Sequence, residues 1–404
     1  MKLRSLLFVP SFVASLSPGS VASSAEQRTI HSQRSWVIGT PQVELAVTET
    51  GAMMAPVTFF RDTAAPVQPY HVSPWQDEGL KLDVPVLVAL RGDWFCMPFG
   101  GNADAFNGET HPPHGEVAGG KWRKLDDHAD AGITTLKLEL RTTTRTGRVI
   151  KELSLVDGQN VVYSTDTIEG FAGPAPVGHH ATLAMPDTEG AVRIATSPIR
   201  FGMTCPSQFS DPAKGEYQSF AIGARFTDLA KVPLQFKGAP DADATRLPAR
   251  RGFADLLQIY YQPGDIAWLT ATRADEGWLW FSLKDPAVLN STVFWIENHG
   301  RHGLPWSGRN NCLGLEDVTA FFADGLAASA RPNLLTKEGI KTAVELRTDK
   351  PTAVRYIQGV AKVPPGFEQV KTLEFAPGEV SFIAVTGQRV RVAVRHEFLR
   401  SGRL

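Results

Sequence analysis

From Ser35 onward, apolar and polar residues alternate in short runs broken by Gly and Pro, and this pattern predicts strands. It is clearest in GITTLKLELRTTTRTG, where Leu136, Leu138 and Leu140 recur with a period of two, the signature of a half-buried strand. RVIKELSLVDGQNVVYSTDTIEG reads as two strands turning at Asp157-Gly158, a dipeptide suited to a hairpin. WVIGTPQVELAVTETG, AWLTATRADEGWLWFSL, EVSFIAVTG and RVRVAVRHEFL continue the series. Helical patterning is confined to EDVTAFFADGLAAS and the start of TKEGIKTAVEL. The expected fold is mainly β, a large antiparallel sandwich of two sheets with few short helices.

Domain organisation follows from the same pass. MKLRSLLFVPSFVASLSPGSVASSAEQ carries Lys2 and Arg4, a short apolar stretch, and small residues where Ala22 or Ala25 precede a cleavage point. Residues 1–33 are therefore expected to be a leader, 34–397 a single sandwich domain and 398–404 a tail. A cleaved leader places the protein in the periplasm or outside the cell; an uncleaved one leaves it cytoplasmic. With no repeat or low-complexity linker between them, a domain boundary inside 34–397 is not expected.

Composition narrows the function. A formal net charge of −1 gives no electrostatic case for nucleic acid or an anionic membrane surface. No apolar run reaches the roughly 18 residues of a membrane span. Three scattered cysteines, Cys96, Cys205 and Cys312, suit packing better than a disulfide framework or a zinc knuckle. GxSxG, GxGxxG after a strand, and GxxxxGK[ST] are all missing, so neither a serine nucleophile nor a nucleotide cofactor is expected.

Candidate chemistry lies in the histidines. Six of the ten fall in three clusters, His111 with His114, His179 with His180, and His299 with His302. The x2 spacing in HPPH and HGRH does not define a zinc site, and no HExxH occurs, so no metal is expected. Adjacent residues on a strand face opposite ways, so only one of His179 and His180 enters a given cleft. An imidazole and a carboxylate from distant segments, about 6 to 9 Å apart, would serve as acid and base at two ends of a small polar substrate. Glu316 in NNCLGLEDV is a candidate for the carboxylate, because Leu313 and Leu315 alternate before it as on a strand. The same residues also read as a helix start, with Asp317 as its N-cap. Trp94, Trp295 and Trp306 lie close by in sequence and offer flat apolar faces to sugar C–H groups.

The ordered series LVALRGDWFCMPFGGN, HPPHGEV, GHHATLAMP and NCLGLEDV resembles the galactose mutarotase (aldose 1-epimerase) superfamily, from about Trp36 to beyond Val390. The resemblance implies a mutarotase-like supersandwich and an enzyme without a cofactor that interconverts sugar anomers. His180 and Glu316 match the catalytic histidine and glutamate, Glu316 then acting as base and His180 as acid. Arg91 and His114 match sugar-binding positions. Three departures stand out: Thr182-Leu183 replaces an aromatic pair, Asp93 replaces a glycine and adds a charge near the site, and an acidic residue for the remaining hydroxyls is not located. A carbohydrate-binding protein of the same fold without turnover, and a polysaccharide-processing domain, are the alternative readings.

Overall fold

A computed structural model describes residues 25–404, and the first 24 residues of the leader expected over 1–33 lie outside the described residues. Two large antiparallel sheets dominate it. A seven-stranded sheet runs in the order Arg225–Phe226, Ile199–Thr204, Phe253–Tyr261, Ser291–Asn298, Asn311–Thr319, Val177–Ala184 and Phe95–Cys96. A nine-stranded sheet runs Arg246–Leu247, Val192–Thr196, Ala267–Arg273, Trp278–Lys284, Thr352–Lys362, Val161–Glu169, Gly147–Val156, Ile133–Thr142 and Arg123–Asp130. Leu136 and Leu138 of the second sheet share one buried cluster with Phe294, Ile296, Leu313 and Leu315 of the first, so the period-two leucines form the interior between sheets.

The outer face of each sheet is also covered. Over the nine-stranded sheet, the antiparallel strands Val370–Ala376, Glu379–Ala384 and Arg389–Ala393 bring Leu373, Val380 and Phe382 down onto Leu279, Phe281 and Ile357. Over the seven-stranded sheet, among the described residues, there is no further sheet. Loops and the short helix Pro85–Ala89 pack on Val293, Trp295 and Leu256, and the cleft described below lies among them.

Several expectations shift. The ordered domain begins earlier than residue 34, because Glu26–Ile30 pairs with Gln33–Gly39. It also extends beyond residue 397, since Phe398–Ser401 is a helix whose Phe398 and Leu399 are buried. EDVTAFFADGLAAS is helical only over Leu326–Ala330, while Glu316 to Thr319 complete a strand. That removes the helix-start reading of Glu316 and the capping role for Asp317. The Asp157-Gly158 turn forms as expected, with Gly158 at φ 78°. All three cysteines are buried and unpaired. Among the described residues no helix is long and apolar enough to cross a membrane.

Candidate active site

Val177–Ala184 and Asn311–Thr319 are hydrogen-bonded neighbours in a register that sets His180 opposite Glu316 and His179 opposite Asp317. The pleat then separates the two pairs. His180 and Glu316 project from the outer face of the sheet into a cleft of about 230 Å³, and His179 and Asp317 project into the interior between sheets.

In the cleft, His180 Nε2 lies 3.0 Å from Glu316 Oε1. Its other nitrogen, Nδ1, lies 3.1 Å from Thr182 Oγ1. The imidazole stacks on Trp94 with ring centres 4.0 Å apart, and Trp295 meets it edge-on at 5.9 Å. Gly314 makes this possible: a Cβ there would stand 2.7 Å from Glu316 Oε1 and 3.0 Å from Trp295 Cβ. The expectation of an acid and a base 6 to 9 Å apart is thus corrected. The two groups touch, because they occupy directly opposed positions on adjacent strands.

Burial decides the charge of this pair. Desolvation pushes the Glu316 carboxyl well above the ordinary carboxylate range. Desolvation, followed by the neighbouring His114, holds His180 well below the ordinary imidazole value. Both shifts run toward the uncharged forms, because removing charge from water is costly in an apolar wall.

His114 also reaches the cleft, its ring 5.1 Å from that of His180, and burial lowers its pKa to about 4. His111 does not. It pairs with Glu109 at 3.0 Å, away from the cleft. His299 turns to its own loop, where Nδ1–H donates to the Gly308 carbonyl oxygen at 2.9 Å.

Arg91 requires a correction. Its side chain is fully buried outside the cleft and donates to the carbonyl oxygens of Ala89 (3.1 Å), Ile30 and His31 (3.0 Å each). A further bond reaches Gln76 Oε1. The guanidinium therefore ties down the N-terminal hairpin and does not line the cleft. Asp93 likewise turns inward rather than adding charge to the cleft. Its Oδ2 lies 2.9 Å from His179 Nδ1 and accepts from Gln358 Nε2 at 2.9 Å.

His179 belongs to an interior ion network. Its Nε2 lies 3.3 Å from Asp166 Oδ2, and Lys151 Nζ lies 2.9 Å from Asp166 Oδ1. Nearby, Lys284 and Tyr356 of the nine-stranded sheet hold Asp317 of the seven-stranded one. Burial alone would lower the His179 pKa, but Asp93 and Asp166 together raise it above the ordinary value.

Two features of the cleft escaped the sequence reading. The wall formed by Val84, Val86, Leu87 and Leu90 comes from the short helix Pro85–Ala89 and its flanks. The cleft's arginine is Arg301, whose guanidinium lies 4.9 Å from the Phe209 ring and 5.6 Å from Trp306. Its Nε stands 3.7 Å from Glu297 Oε2, and burial raises Glu297 to about 7. HGRH contained the signal, in the second of the two residues between its histidines.

Two interlocked antiparallel sheets with an acid–imidazole pair on an outer face define a mutarotase-like β-sandwich, and comparison with solved structures agrees. No family model matches the sequence, and neither does any curated protein. Two bacterial structures provisionally named aldose 1-epimerases are similar. The one from Klebsiella pneumoniae has a TM-score of 0.58 at 13% identity, covering 84% of this chain and 83% of that one. The one from Escherichia coli K12 has a TM-score of 0.54 at 14% identity, covering 81% and 99%. A galactose mutarotase-like protein from Clostridium acetobutylicum has a TM-score of 0.55 at 10% identity, covering 85% and 100%. The chain shares their fold along most of its length.

Proposed function

We propose that this protein is an aldose 1-epimerase-like isomerase that interconverts the anomers of a sugar by opening and reclosing its ring. The observation that carries the reading is the His180–Glu316 pair, in contact at 3.0 Å in the cleft of a mutarotase-like sandwich, with burial favouring the uncharged form of each. Ring opening needs one group to give a proton and another to take one, at two oxygens bonded to the same carbon. Two groups in contact suit two oxygens so close together.

With the proton resting on the carboxyl, Glu316 protonates the ring oxygen while His180 Nε2 removes the proton of the anomeric hydroxyl. The bond from C1 to the ring oxygen breaks, and a C1 carbonyl forms. The pair is now carboxylate and imidazolium, held together by their attraction in a poorly solvated cleft. Rotation about C1–C2 presents the other carbonyl face. The ring oxygen then attacks it, Glu316 takes back its proton and His180 returns the other. This exchanges the opening-step roles implied by the family resemblance, following the direction in which burial shifts the two groups. His114 and Arg301 remain as partners for further sugar oxygens, and Trp94, Trp295 and Trp306 supply apolar faces.

A second reading, sugar binding without turnover, draws support from Arg91, whose commitment to backbone carbonyls takes one expected sugar ligand out of the cleft. Polarimetry of freshly dissolved α-glucose, α-galactose and a wider sugar panel separates the two. The proposal expects faster decay with the protein, and a loss of about a hundredfold or more in Glu316→Gln. Decay equal to the spontaneous rate for every sugar, with binding retained by tryptophan fluorescence, would leave only the binding reading.

A further inference from the structure

We propose that Thr182 is a positioning residue that sets which nitrogen of His180 carries the ring proton, leaving Nε2 as the basic atom beside Glu316. The proposal rests on the acid–base reading of the pair and adds a residue to it.

Thr182 and His180 are two apart on one strand, so their side chains share the cleft face. Thr182 is 1% exposed and its Oγ1 is 3.1 Å from His180 Nδ1. The backbone holds both residues in place: the His180 N–H donates to the Trp94 carbonyl and the Thr182 N–H to the Gly92 carbonyl, each at 2.9 Å. The imidazole plane is held by stacking on Trp94, and the contacts to Thr182 and Glu316 at its two nitrogens select one of the two ring orientations in that plane.

A hydroxyl has one proton to give and lone pairs to receive. Two arrangements are open to it. In the first, Nδ1–H donates to Oγ1, the hydroxyl proton goes to the His180 carbonyl oxygen at 3.5 Å, and Glu316 donates its acid proton to Nε2. Every polar proton then has an acceptor. In the second, the hydroxyl donates to Nδ1, Nε2–H donates to Glu316, and the acid proton of Glu316 faces the cleft with no protein acceptor. A buried donor left without a partner is the costlier outcome. The first arrangement leaves Nε2 without a proton of its own, its lone pair accepting from Glu316 until that acid proton passes to a sugar oxygen. Once Nε2 becomes protonated both ring nitrogens are donors, and Thr182 Oγ1 goes on accepting from Nδ1–H.

The test uses the full chain with 15N-labelled histidine, the His180 signals being assigned by their loss in His180→Gln. Long-range 1H–15N correlation distinguishes the two tautomers. The expected wild-type form is Nδ1–H. Thr182→Val, which keeps the shape and loses the hydroxyl, should shift His180 toward Nε2–H and lower kcat by about tenfold to a hundredfold with KM little changed. Thr182→Ser should restore tautomer and rate together. An Nε2–H form in the wild type, or a Val variant that keeps the wild-type tautomer, overturns the proposal. If no sugar is turned over by the wild type, the functional reading fails and the tautomer measurement alone decides the role of Thr182.

Discussion

His179 and His180 stand back to back across one sheet: the first lies between the Asp93 and Asp166 carboxylates in the interior, the second against Glu316 and Trp94 in the cleft. Neighbours in sequence thus hold opposite electrostatic positions. Nearby carboxylates raise the pKa of one above the usual imidazole value, and desolvation lowers that of the other.

The first of these makes stability depend on pH. A histidine whose folded pKa lies above its unfolded value of about 6.5 stabilises fully below that value and loses its contribution as pH rises through the folded pKa. His179→Gln leaves Asp93 and Asp166 without their shared cation. It should lose about 3 to 5 kcal/mol at pH 6. Urea denaturation of both proteins from pH 6 to 9 should show the gap narrowing as pH rises. A constant gap would contradict a charged His179.

Glu316 behaves in the opposite sense. Its folded pKa is raised, so the folded state keeps a proton that the unfolded chain releases above about pH 4.5, and stability falls as pH rises beyond that point. Glu316→Gln removes this cost. The variant should exceed the wild type by at least about 1 kcal/mol at pH 7.5 and match it near pH 4. Thermal unfolding at the two pH values checks both statements.

Arg91 should matter for folding and little for ligand. Arg91→Met leaves the Ile30, His31 and Ala89 carbonyls without their donor and should cost about 2 to 4 kcal/mol. KM for any accepted sugar should stay near the wild-type value. A selective rise in KM without loss of stability would return Arg91 to the cleft.

Gly314→Ala tests the space around the carboxyl. The new methyl meets Glu316 Oε1 and Trp295, so the carboxyl must turn away from His180. The expected result is a fall in kcat of about a hundredfold, with a stability loss of about 1 to 3 kcal/mol. Wild-type kcat would show that the contact at 3.0 Å is not needed.

Much of this was legible from alternation. Leu136, Leu138 and Leu140 announced a sheet face, and the histidine doublet announced that one ring would face away. Glu316 stayed ambiguous between strand and helix start because a few residues fit either period; pairing with two flanking strands resolved it. Arg91 and Asp93 misled because a short motif names residues without saying which way each side chain turns. Their environments come from the hairpin around Ile30 and from the opposite sheet, both remote in sequence. Arg301 and the wall around Val86 depend on loops whose course no local pattern records.

The register of Val177–Ala184 against Asn311–Thr319 has one more consequence. Sliding either strand by a single residue would turn Leu313 and Leu315, or Ala181 and Leu183, out of the interior between sheets and onto the cleft face. The free energy that keeps those side chains dry is therefore the same that aims a carboxyl at an imidazole. Precision at the reacting atoms is underwritten by oily residues that never meet the substrate.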